Sequence, residues 1–185
     1  MPSPEQLDEM LAALKKAAAA LRDAEVPFAL GGGFASWSWG GAASDHDVDL
    51  LICAEDADRA LAAVEENGLR TERPPEGWLV KAYDGDILID LIYSPAGMEV
   101  DDELLARSEE RSVGGMPMPV LHPDDLFTSK LLALTEHSLD FEGLLEAARS
   151  LREQVDWQSV EDRTKSSPYA RAFLTLVREL SIAPE

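Results

Sequence analysis

Apolar residues recur at every third or fourth position near both ends of the chain, which is the spacing of amphipathic helices. Ser3-Pro4-Glu5-Gln6 is a helix-capping sequence, and the apolar positions after it predict a helix that ends near Ala24. The same spacing predicts a helix over Ala54–Asn67, which Gly68 ends. Further helices are predicted at Phe34–Trp39, Asp101–Ser108, His122–His137, Phe141–Gln154, Trp157–Arg163 and Pro168–Leu180.

The middle of the chain has the shorter apolar runs that are typical of strands. Phe28–Leu30 and Val48–Ile52 each predict a short buried strand. Trp78–Tyr83 and Ile87–Tyr93, joined by a turn that contains glycine, predict a β-hairpin. Two strand-like pieces flank Gly114-Gly115. We therefore predict an α/β (α+β) fold, in which a small mixed β-sheet is flanked by helices.

The order of these elements predicts a division within one compact unit. Residues 1–121 form the α/β core, and residues 122–185 form a C-terminal helical region packed on it. No linker rich in Pro or Ser separates the two parts.

Composition narrows the classes of partner. The chain of 185 residues has a formal net charge of −20 and contains no basic run, so the sequence disfavours general binding to nucleic acid or an anionic membrane. A single cysteine, Cys53, excludes an intramolecular disulfide and fits a cytoplasmic protein. We interpret Cys53 as a small buried apolar residue. No signal peptide and no membrane-spanning stretch is evident in the sequence.

Three aspartates are the strongest candidates for chemistry. Asp47 and Asp49 are two positions apart at the start of a predicted strand, so their carboxylates point to the same side. Asp90 is the one polar residue in the apolar strand Ile87–Ile92. If the two strands are neighbours, the carboxylates converge and can bind one or two divalent cations, or Asp90 can act as a general base. The alternative is that Asp47 and Asp49 are loop or cap residues and that Asp90 pairs with an arginine.

A glycine turn provides the second part of the candidate site. Gly32 and Gly33 follow a predicted strand and begin a predicted helix, with Ser36 one turn further on. Glycine allows backbone amides to approach a phosphate closely. The sequence is neither a Walker loop nor the dinucleotide-binding fingerprint, because the required lysine and spacing are missing.

Together these residues resemble the motif of the nucleotidyltransferase superfamily of the DNA polymerase β type. That motif is a Gly-Gly or Gly-Ser pair, a spacer, and then Asp-hydrophobic-Asp. Here Gly32-Gly33 and Asp47-Val48-Asp49 match it with thirteen intervening residues, and Asp90 matches the third carboxylate. The resemblance implies catalytic and metal-binding roles for Asp47, Asp49 and Asp90. It also implies phosphate binding by Gly32, Gly33 and Ser36.

The C-terminal region looks like that of small bacterial members, which include antibiotic nucleotidyltransferases and toxins of abortive-infection type. Lys130 matches a lysine that begins a helix in the toxins, and the resemblance implies that it contacts the triphosphate; the alternative is a solvated lysine on a helix surface. His137 stands where the toxins have an arginine, seven residues later, and the helical prediction places both residues on one helix face. A second departure is the loop Ala42–Asp45, which lacks the arginine and threonine of many relatives.

The resemblance implies an enzyme that uses Mg²⁺ (or Mn²⁺) and an NTP as co-substrate. It would move an NMP to a hydroxyl group and release pyrophosphate. The negative charge favours a small molecule or a protein as acceptor over RNA. Two alternatives remain open, which are a nucleotide-binding regulatory protein with little or no turnover and a toxin with an antitoxin partner.

Overall fold

The computed structural model describes residues 2–42 and 47–184, which fold into a mixed β-sheet flanked by helices, as the sequence predicts. Within these residues the sheet has seven strands in the order β3-β4-β5-β2-β1-β7-β6. The strands are β1 (Phe28–Leu30), β2 (Val48–Ile52), β3 (Arg70–Glu72), β4 (Leu79–Asp84), β5 (Ile87–Ile92), β6 (Glu109–Val113) and β7 (Met116–Val120).

Helices surround this sheet and form most of the C-terminal third. They are α1 (Pro4–Asp23), α2 (Gly32–Ser38), α3 (Ala57–Glu66), α4 (Asp102–Ala106), α5 (Pro123–Leu132), α6 (Phe141–Leu151), α7 (Trp157–Thr164) and α8 (Pro168–Glu179). The predicted cap of α1 is present, since Ser3 Oγ accepts a hydrogen bond from the Gln6 amide at 3.1 Å. No helix among the described residues is long and apolar enough to cross a membrane.

The register of the central strands aligns the predicted carboxylates. Strands β2 and β5 are parallel neighbours, and Asp49 pairs directly with Asp90. In the same strands Val48, Leu50 and Ile89 are fully buried, and they point to the opposite face of the sheet. Helices α1 and α3 contact β5 and β4, so we assign that apolar face to them. The aspartates therefore lie on the other face.

Two apolar clusters stabilise the molecule. The larger one joins the sheet to α1 and α3, and Leu14, Leu30 and Leu91 are fully buried in it. The second cluster joins the C-terminal helices and includes Phe127, Trp157 and Phe173. Helix α5 contributes to both, with Leu126 in the larger cluster and Phe127 in the second. It therefore joins the sheet to the C-terminal helices, and it also presents Lys130.

One expectation from sequence is wrong, and one strand has no counterpart in the predicted elements. Helix α5 ends at Leu132, not at His137, so Lys130 and His137 do not share a helix face. The chain turns instead because Thr135 and Ser138 exchange backbone hydrogen bonds of 3.2 and 3.1 Å, and Leu134 is buried in the second cluster. Strand β3 was not predicted at all, because it is a charged three-residue edge strand. Residues 43–45 of the loop Ala42–Asp45 lie outside the described residues.

Candidate active site

The three predicted aspartates come together on the face of the sheet that α1 and α3 do not cover. Asp47, Asp49 and Asp90 each place a carboxylate oxygen so that all three oxygens lie within 4.8 Å of one another. The sheet register accounts for the pairing of Asp49 with Asp90, and Asp47 directly precedes strand β2. The alternative that Asp47 and Asp49 are only loop or cap residues does not account for this convergence.

Burial and mutual repulsion both destabilise the ionised carboxylates of this cluster. Burial is the largest cause that raises the pKa of Asp49 to about 7, and the negative charges of Asp47 and Asp90 add to it, while Lys130 opposes the shift. Burial also raises the pKa of Asp90. Among the described residues, no group donates a hydrogen bond to the buried Oδ1 of Asp90. Three oxygen ligands of this kind fit a hard divalent cation such as Mg²⁺ or Mn²⁺.

Gly32 shows how closely the glycine turn packs against the carboxylates. Its φ is +57°, in the left-handed region that favours glycine. A Cβ added at Gly32 would lie 1.6 Å from Oδ2 of Asp49, which is far inside van der Waals contact. In addition, the Gly31 amide donates a hydrogen bond of 2.9 Å to the Asp49 carbonyl. The backbone of the turn therefore lies directly against Asp49, and only a glycine leaves room for that carboxylate.

The other predicted residues surround one open cavity of about 430 Å³. Gly33, Ser36 and Lys130 line it together with Asp47 and Asp49. Lys130 comes from α5, and its charge acts on Asp49. Asp140 and Glu146 also line this cavity and add two more carboxylates. The cavity thus brings together Asp47 and Asp49 of the carboxylate cluster, Gly33 of the glycine turn, Lys130 and two further carboxylates.

Residue His137 lies apart from this site. Its side chain is 87% exposed and contacts its neighbour Glu136 at 3.1 Å. Asp140 caps helix α6 by accepting a hydrogen bond of 3.1 Å from the Gly143 amide. The lysine–arginine helix face of the toxin-type enzymes is therefore not reproduced here.

One charged residue at the site, Lys81, is not indicated by the motifs of the sequence. Lys81 pairs with Asp90 across strands β4 and β5, and its Nζ lies 3.9 Å from Oδ1 of Asp90. Asp90 thus has a lysine beside it instead of the arginine that the alternative interpretation required. The register of the hairpin predicts the pairing of Lys81 with Asp90. A two-residue turn at Gly85-Asp86 places residues 84 and 87 opposite each other, and hence residues 81 and 90.

This combination of a mixed sheet, a glycine turn and three convergent carboxylates defines the nucleotidyltransferase class of enzyme. A family model described as "Nucleotidyl transferase of unknown function (DUF2204)" matches residues 10–174, and the chain belongs to that family. No curated protein matches the sequence significantly.

Solved structures support the same fold. ANT(2″)-Ia in complex with adenylyl-2″-tobramycin is 19% identical, with a TM-score of 0.62 over 90% of this chain and 97% of that one. A solution structure of ANT(2″)-Ia has a TM-score of 0.65 and 18% identity, over 94% and 98% of the two chains. The lincosamide antibiotic adenylyltransferase LnuA, with bound lincomycin, is 12% identical, with a TM-score of 0.50 over 88% and 99%. At these identities the similarity establishes the fold.

Proposed function

We propose that this enzyme transfers an NMP from an NTP to a hydroxyl group of a small molecule, with Mg²⁺ or Mn²⁺ bound by Asp47, Asp49 and Asp90. The observation that carries the proposal is the convergence of these carboxylates within 4.8 Å beside the glycine turn. A divalent cation bound there would neutralise negative charge on the triphosphate and on the transition state.

The residues of the chain have separate roles in this proposal. The turn at Gly32 and Gly33, together with Ser36 and Lys130, holds the triphosphate in the cavity next to Asp47 and Asp49. The acceptor hydroxyl oxygen attacks the α-phosphorus, and the bond to the β-phosphate oxygen breaks, so that pyrophosphate leaves. Asp90 either accepts the hydroxyl proton or completes the metal site. The chain's own contribution is mainly positioning and electrostatic stabilisation.

Charge and cavity size favour a small acceptor. The net charge of −20 repels the phosphates of a nucleic acid. Two of the structural neighbours were solved with small antibiotics bound. ANT(2″)-Ia contains adenylyl-2″-tobramycin, and the lincosamide antibiotic adenylyltransferase LnuA contains lincomycin. A toxin role has less support, because His137 is outside α5 and exposed.

Transfer of radioactive label tests this proposal. The protein is incubated with Mg²⁺, each [α-³²P]NTP in turn, and separate pools of hydroxylated small molecules, proteins or tRNA. We expect label on small molecules with matching release of pyrophosphate, and no label after Asp49→Asn. Asp84→Asn is the matched control, since Asp84 pairs with Lys16 at 2.7 Å on the opposite face of the sheet. Label on tRNA or protein alone would contradict the proposed acceptor class, and no label in any pool would contradict the proposed transfer.

A further inference from the structure

The hairpin of β4 and β5 brings a lysine to the row of catalytic-site aspartates. Lys81 pairs with Asp90, and Asp90 pairs with Asp49, so the three residues form one cross-strand row. Directly paired residues of neighbouring strands point to the same face of a sheet. Lys81 therefore lies on the same face as the aspartates, at the end of the row away from the glycine turn.

The ion pair between Lys81 and Asp90 is partly shielded from water. The side chain of Lys81 is 29% exposed and that of Asp90 is 12% exposed. At 3.9 Å the ammonium group is an ionic neighbour of Oδ1, beyond the range of a hydrogen bond. Among the described residues no other group is bonded to this oxygen. Lys81 is thus the contact that restrains the Asp90 carboxylate from the side of β4.

We infer that Lys81 is a positioning residue, which holds the Asp90 carboxylate in place for metal binding and acceptor activation. This inference rests on the proposed function and deepens it, by adding a residue that acts through Asp90. Lys81 is not among the described residues that line the cavity, so it does not replace Lys130 as a phosphate contact. Groups that orient a metal ligand from behind typically change metal affinity or activity by about 10- to 100-fold when they are removed.

A lysine that only balanced charge would give the opposite result. Removing a positive charge beside three carboxylates makes the site more negative, and binding of a divalent cation then becomes tighter. Removing a positioning group leaves Asp90 free to rotate, and binding becomes weaker. The sign of the change in cation affinity therefore distinguishes the two roles.

Mn²⁺ binding to the purified protein measures this sign without any acceptor. Mn²⁺ is titrated by electron paramagnetic resonance, alone and with each NTP, for wild type, Lys81→Met and Lys81→Arg. We expect Lys81→Met to weaken Mn²⁺ binding about 10-fold or more, and Lys81→Arg to restore most of the affinity. Lys16→Met is the matched control, because Lys16 pairs with Asp84 of the same strand on the opposite face, and it is expected to bind like wild type.

The outcomes separate this inference from the proposed function. Equal or tighter Mn²⁺ binding by Lys81→Met, with wild-type binding intact, would overturn the positioning role alone. An absence of Mn²⁺ binding by wild type, both alone and with every NTP, would overturn the metal site and the role of Lys81 together. If wild type binds Mn²⁺ but transfers no label, the proposed transfer is contradicted while Lys81 is still judged by its effect on affinity. Where turnover is measurable, we expect Lys81→Met to raise the Mn²⁺ concentration that gives the half-maximal rate, and Lys81→Arg to restore it.

Discussion

Replacement of Gly32 by alanine tests how closely the glycine turn and the carboxylates depend on each other. The new methyl group would lie 1.6 Å from Oδ2 and 2.6 Å from Cγ of Asp49, so the carboxylate must move. The backbone must also keep a φ of +57°, which an alanine adopts at a cost of about 1 kcal/mol. Overpacking adds about 1–3 kcal/mol, which makes a total destabilisation of about 2–4 kcal/mol.

The effect on function should exceed the effect on stability. A displacement of about 1 Å at a catalytic group can cost on the order of 100-fold in rate. We therefore expect Gly32→Ala to weaken Mn²⁺ and NTP binding strongly, even at temperatures where the variant is folded. Urea denaturation gives the loss of stability, and titration of the folded variant gives the loss of affinity.

Gly68→Ala provides the matched control for Gly32→Ala. Gly68 also has a positive φ, +80°, but an added Cβ would meet nothing within 4 Å. This variant should lose only about 1 kcal/mol from backbone strain and should bind Mn²⁺ like wild type. If Gly32→Ala behaves like Gly68→Ala in both measurements, the inferred contact between the turn and Asp49 is refuted.

Three further predictions concern pH, a buried ion cluster and the single thiol. The pKa of Asp49 is raised to about 7 from 3.8, so its contribution to stability is fully present below pH 4 and is lost as the pH rises through 7. Metal-free wild type should therefore lose about 2–3 kcal/mol of unfolding free energy relative to Asp49→Asn between pH 5 and 8, because this window covers only part of the full linkage value of about 4 kcal/mol, and an unchanged difference would contradict this. The side chain of Asp125 is 3% exposed, and its carboxylate contacts the guanidinium groups of Arg107 and Arg163 at 3.2 and 2.5 Å. Asp125→Asn should therefore lower the free energy of unfolding by about 2–3 kcal/mol in urea denaturation. An unshifted denaturation midpoint would contradict a stabilising role for this ion cluster. Cys53 is buried, and burial raises its thiol pKa to about 11, so a thiol reagent should modify it only after unfolding, and rapid reaction in the native state would contradict that burial.

Periodic and capped segments of the fold were predictable from sequence. The capping residues before α1 and the hairpin of β4 and β5 are determined by local chemistry, and both were predicted within a residue or two. The end of α5 was not predictable in this way. No glycine or proline occurs between Leu132 and Phe141, and Leu134, just beyond the helix end, packs into the second cluster. Tertiary packing overrides helix propensity there.

The site residues also differ in whether a local sequence pattern or a tertiary contact determines them. Asp90 was identifiable because a carboxylate in an apolar strand requires compensation, and its alignment with Asp49 confirms that the two strands are neighbours. The contact between Gly32 and Asp49 depends on the exact approach of two elements, which no local pattern encodes. The position of Lys81 follows from the hairpin register, whereas strand periodicity alone does not show which lysine faces a buried acid.

Binding of NTPs is the most direct test of the central claim that Asp47, Asp49 and Asp90 form a divalent-cation site for a nucleotide. Isothermal titration of ATP, CTP, GTP and UTP, each with and without Mg²⁺, compares wild type, Asp49→Asn and the control Asp84→Asn. We predict that wild type and Asp84→Asn bind at least one Mg²⁺–NTP, that omitting Mg²⁺ weakens this binding, and that Asp49→Asn weakens it by roughly 100-fold. Equal affinity of Asp49→Asn and wild type, or binding that is indifferent to Mg²⁺, would contradict the account.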